Sequence, residues 1–142
     1  MGSAADLIIA APSEAVAIVA SDYALGTYRG VNVDGLDPLK LAALHSLLTN
    51  KGIDGLLGAY QPVAEATANG PWPIRLPGEL LAFLANTRPE SQALVAAKWA
   101  SADQLQAEGW SEQDAEQFIA RVVHFAQNAA FEGKEVFLLV YS

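Results

Sequence analysis

Glu135-Val136-Phe137-Leu138-Leu139-Val140-Tyr141 closes the chain with β-branched, aliphatic and aromatic side chains and no polar alternation. A run of that length and composition reads as a β-strand buried on both faces. A strand in the core must pair, because its amides and carbonyls would otherwise lose water without gaining a partner. The neighbours are expected from Asp6 to Ala20 or from Ala59 to Thr67, the latter edged by Pro62. Immediately upstream, Phe118, Val122, Phe125 and Ala129 recur at spacings of four, three and four, with Ile119 and Ala126 widening the stripe. Ser111 suits the N-cap and Gly133 the stop, so a helix is predicted over 112–131. A long helix followed by a buried strand implies an α+β fold: one helix-rich domain, 1–142, packed on a small sheet that includes the C-terminal strand.

Working outward, Asp37-Pro38 is a helix start, since the Asp side chain can cap free amides and proline loses nothing at the first helical position. Leu41, Leu44 and Leu48 continue it to Asn50-Lys51-Gly52. Pro77 and Pro89 open two more helices, one striped by Leu80, Leu81 and Leu84, the other by Val95 and Trp99. Ser101 and Gln104 match a capping box for a short helix ended by Gly109. The prolines of Pro71-Trp72-Pro73-Ile74-Arg75-Leu76-Pro77 forbid a helix and impose an extended path anchored by Trp72 and Ile74. Asp6 to Ala11 reads as a strand, Pro12 to Ala20 as a short helix with strand as the alternative, Ser21 to Gly35 as loop, and 68–71 as a turn.

The 142 residues are 52% hydrophobic and 17% charged, enough apolar surface to offset the entropy of ordering the chain. Eight Lys and Arg against sixteen Asp and Glu give a net charge of −8, opposite to the basic footprint of nucleic-acid binding. No apolar run approaches the length needed to span a bilayer, and no base precedes Arg29, so neither a membrane partner nor a secretory leader is expected and the compartment is read as cytoplasmic. With no cysteine, thiolate catalysis, disulfides and thiolate-bound metal are excluded.

The two histidines, His45 and His124, lack HExxH-type spacing, the glycines match neither GxGxxG nor the phosphate-binding loop, and no serine has a GxSxG setting. No metal, cofactor or catalytic residue is assigned. The most asymmetric feature is a run of five acids, Asp103, Glu108, Glu112, Asp114 and Glu116, with no base between Lys98 and Arg121. Several fall where a helix macrodipole favours negative charge, and others are solvated. With Trp110 as an aromatic anchor, they also fit a docking patch for a basic protein. The alternative is an enzyme or small-ligand binder with a cleft near Trp72, Arg75, Tyr28 and Arg29, using His45 or His124 as acid-base group. Self-association as a homo-oligomer through exposed apolar area is a third expectation.

Four strings, DGLDPLKLAALHSLLT (34–49), GPWPIRLPGELLAFLA (70–85), AAKWASADQLQAEGWSEQD (96–114) and GKEVFLLVYS (133–142), together resemble a family of small bacterial proteins with no established activity. The strings cover helix starts, packing tryptophans and the last strand, so the resemblance implies shared architecture and carries no functional residue. The leading expectation is a non-enzymatic binding or interaction module that docks or neutralises a basic protein partner.

Overall fold

The computed structural model describes residues 4–20, 28–64 and 71–141. The C-terminal run forms strand β4 (Glu135–Tyr141) and lies inside a four-stranded antiparallel sheet of order β2-β1-β4-β3, with β1 at Ala4–Ala10, β2 at Arg29–Asn32 and β3 at Trp72–Arg75. β1 pairs with β4 along its whole length, from Ala4 opposite Tyr141 to Ala10 opposite Glu135. The helices are α1 (Ala15–Ala20), α2 (Pro38–Thr49), α3 (Ile53–Leu56), α4 (Gly78–Ala85), α5 (Pro89–Ala100), α6 (Asp103–Gln106) and α7 (Glu112–Glu132). The fold is α+β, a body of helices on a small sheet that contains the C-terminal strand.

Period-two geometry divides the sheet residues between two cores. Leu7, Ile9, Val136, Leu138 and Ile74 face the helical body, where Leu41, Leu44, Trp99, Ile119, Val122 and Ala126 meet them. Ile8, Ala10, Phe137 and Leu139 face the other way and are covered by Ile18 of α1 with Ala15 and Tyr28 beside it. β4 is therefore walled in on both sides, and α7 folds back against it.

Two expectations about the sheet are corrected. The second neighbour of β4 is Trp72–Arg75, with Ile74 opposite Leu138, and not Ala59 to Thr67. Pro73 is tolerated because β3 is an edge strand, where a missing donor leaves no ladder bond unmade. Its outward carbonyl accepts the Val63 N–H at 2.8 Å. In the segment read as loop, Arg29–Asn32 forms β2, while 21–27 lies outside the described residues. Residues 65–70, with most of the 68–71 turn, also lie outside them. The glycine-punctuated stretch after α2 holds the helical turn α3 and a 3-10 turn over Leu57–Ala59, and no strand forms over the described residues 59–64.

Helix ends follow the cap chemistry closely. Asp37 accepts from Lys40 N at the start of α2. At the start of α7, Ser111 and Asp114 form a reciprocal capping box. Asn50 and Gly133 end their helices in the left-handed conformation, at φ 57° and 66°. The capping box read at Ser101 and Gln104 does not form: α6 starts after Ala102 without a side-chain cap, and the Ser101 hydroxyl donates back to Ala97 O. That back-bond satisfies the end of α5 and removes the hydroxyl from the next helix.

Phe137→Ala should destabilise the fold by about 3–5 kcal/mol, as expected for deleting a fully buried aromatic ring. Ser111→Ala should lose about 1 kcal/mol through the cap alone. Urea unfolding with unchanged slope measures both.

Candidate functional site

α2 is buried on almost every side: Lys40, Leu41, Ala42, Ala43, Leu44 and His45 are all shielded from solvent. Its two buried polar side chains, Lys40 and His45, must therefore find partners within the protein. The Lys40 ammonium, with a side chain only 1% exposed, donates to Gly35 O, Asp37 Oδ2 and Glu108 Oε2, each at 2.7 Å. Three protons meet three oxygens, and the Trp110 ring centroid lies 5.2 Å away. Trp110 stacks on Phe118 with ring centroids 4.5 Å apart and meets Trp99 edge-on at 5.7 Å. The Trp99 indole N–H donates to Lys40 O. Gly35, at φ 96°, admits this close approach, since a Cβ there would stand 3.3 Å from the Trp110 ring.

The second constellation surrounds His45, which lies deeper than a boundary residue at 2% exposure. Its Nε2 is 2.8 Å from Glu79 Oε1 and its Nδ1 is 2.9 Å from the Tyr60 hydroxyl. A carboxylate can only accept, so Nε2 donates to Glu79, and in the neutral ring Nδ1 accepts from Tyr60. Lys51 Nζ also donates to Glu79, at 2.8 Å to Oε2. The hydrogen bonds from Lys51 and then His45 hold the Glu79 carboxyl below its ordinary range. Burial, followed by the Glu79 charge, pushes the Tyr60 phenol up, which makes it a poor base or nucleophile. Both ring nitrogens of His45 are engaged within the protein, so the arrangement suits a structural tie between α2 and α4.

The cleft residues inferred from sequence do not converge. Tyr28 and Arg29 lie at the β2 edge and Trp72 and Arg75 at the β3 edge, three strand spacings or about 14 Å apart. Arg29 pairs with Glu132 at 2.7 Å, and Arg75 with Glu135 at 3.4 Å. The Tyr28 phenol is raised by burial and by Glu14. His124 is exposed on α7, where its ring nitrogen lies 3.2 Å from Asn128 Nδ2.

The acid run divides by role. Glu108 neutralises Lys40, and Asp114 caps α7, its carboxyl lowered by hydrogen bonds with Ser111. Trp110 is half-buried, so it forms the floor of this region instead of a free anchor. Glu112 and Glu116 are exposed one turn apart on α7 and form no ion pair among the described residues. Arg121, the first base downstream, lies over the Phe118 ring at 5.7 Å. Asp103 lines a separate cleft of about 380 Å³ between α2, α3 and the α5–α6 turn. Sequence reasoning missed Lys40, Tyr60, Glu79 and that cleft; the Asp37-x-x-Lys40 spacing was the one local signal for any of them.

Among the described residues no three His, Asp or Glu side chains gather as a metal site, and no helix is long and apolar enough to cross a membrane. No family model, curated protein or solved structure matches the chain, so the family resemblance rests on its four strings alone.

Lys40→Met should destabilise by about 2–3 kcal/mol, because it strips a buried carbonyl and two carboxylates of their donor. Glu108→Gln, on the solvent side, should lose under about 1 kcal/mol. Glu79 has a folded-state pKa below its unfolded one, so its contribution is complete above the usual Glu range and is lost as pH falls through the depressed value. Chemical-denaturation midpoints between about pH 6 and pH 3 should therefore fall less steeply for Glu79→Gln than for the wild type.

Proposed function

We propose that the chain is a non-enzymatic protein-binding module of a bacterial cytoplasm, and that it docks a basic protein partner on the face formed by the start of α7. The observation that carries this reading is the pair Glu112 and Glu116. Both are exposed, they are spaced i,i+4 on one helix face, and no described cation lies within ion-pair distance of either. Like charges at that spacing disfavour a helix by a few tenths of a kcal/mol. Glu112 recovers part of this from the helix macrodipole in the first turn, while Glu116 lies beyond it. The stacked Trp110 and Phe118 pack at the start of the same helix, next to the Lys40–Glu108 pair, and Glu112 and Glu116 project from another part of its circumference. An excess of exposed acid steers a cationic surface, with attraction that fades as salt screens it.

The test compares two double variants with the same change in net charge. Glu112→Lys with Glu116→Lys should weaken capture of basic proteins from the native cytosol by about tenfold at low salt, equivalent to about 1.4 kcal/mol. Asp54→Lys with Glu90→Lys, exposed acids elsewhere, should leave capture nearly unchanged. Equal loss in both would reduce the effect to overall charge and overturn the assignment of this face.

A further inference from the structure

The cleft between α2, α3 and the α5–α6 turn lies outside the docking face and has different chemistry. Leu47 and Ile53 supply apolar lining, and Lys98, at the end of α5, and Asp103, at the start of α6, line it together. Neither charge forms an ion pair with the other or with any other described group, and both side chains belong to exposed residues. The Ser46 hydroxyl donates to Lys51 O, which leaves its lone pairs free, and Gln104 adds an amide with both donor and acceptor. At about 380 Å³ the cleft falls within the range of small-ligand sites.

The chemistry narrows the ligand. A phosphorylated or otherwise polyanionic molecule would face one cation and a repelling carboxylate. A sugar stacks on an exposed aromatic face, and Trp99, the aromatic residue in the lining, is fully buried. A molecule with one positive group, one negative group and an apolar body satisfies every feature. We propose that this cleft binds a free apolar α-amino acid, with its carboxylate at Lys98, its ammonium at Asp103 and its side chain against Leu47 and Ile53. The volume corresponds to about a dozen waters at ~30 Å³ each, room enough for the nine non-hydrogen atoms of leucine.

Isothermal titration calorimetry of the full chain with three probes tests the proposal: L-leucine, 4-methylpentanoate, which lacks the ammonium, and 3-methylbutylamine, which lacks the carboxylate. Leucine should bind saturably, and each analogue should bind at least about tenfold more weakly. Lys98→Met should weaken leucine and 4-methylpentanoate but not the amine, and Asp103→Asn should weaken leucine and the amine but not the acid. Both substituted side chains are exposed, so thermal unfolding should show both variants folded. Backbone amide shifts on adding leucine should cluster at 43–53 and 98–104. Absence of saturation at tens of millimolar leucine, or leucine binding untouched by both substitutions, would overturn it. Glu112→Lys with Glu116→Lys should leave leucine binding intact, which separates this site from the docking face.

Discussion

The burial of β4 on both faces is the constraint on which the other elements depend. A strand with Phe137 and Leu139 on one side and Val136 and Leu138 on the other needs a hydrogen-bonded neighbour along each edge and a cover over each face. β1 and β3 supply the edges, α1 covers one face, and the helical body covers the other. Gly133 turns the chain from α7 into β4 in a left-handed cap, so the helix must lie back across the strand it precedes. The helix order follows: α4 and α5 pack on α7, and α2 is enclosed beneath them.

Enclosing α2 has an electrostatic consequence. A helix buried over residues 40–45 cannot leave Lys40 and His45 unpaired, so oxygen partners are drawn from distant segments: Glu108 to one and Glu79 to the other. These ties lock the loop carrying Trp110 and the start of α4 onto the core. They also explain why the obvious acid-base candidate is not free for chemistry. Glu112 and Glu116 on α7, and Lys98 and Asp103 in the α5–α6 cleft, are by contrast exposed and form no ion pair among the described residues.

Local signals were the legible part of the sequence. Asp37-Pro38, Ser111 and Gly133 mark helix ends because caps act within three or four residues, and the apolar density of 136–140 marks a buried strand wherever its partners lie. Pairing was less legible. β3 was hidden because Pro73 argues against a strand unless that strand is known to be an edge, and β2 because four residues beside glycine show no alternation. The site was legible in one half only. The run of acids was visible, but which of them are free depended on Lys40 and Glu108, 68 positions apart, and the Lys98–Asp103 cleft exists only once α2 and α3 are placed against α5.

Amide hydrogen exchange of β4 tests the central claim most directly. If the strand is walled in by β1, β3 and both cores, the amides of Val136 to Leu139 should belong to the slowest-exchanging class, opening only with global unfolding. Exchange of those amides orders of magnitude faster than that of the buried α7 residues Ile119 and Val122 would contradict it, and the surfaces inferred from this packing would have to be redrawn.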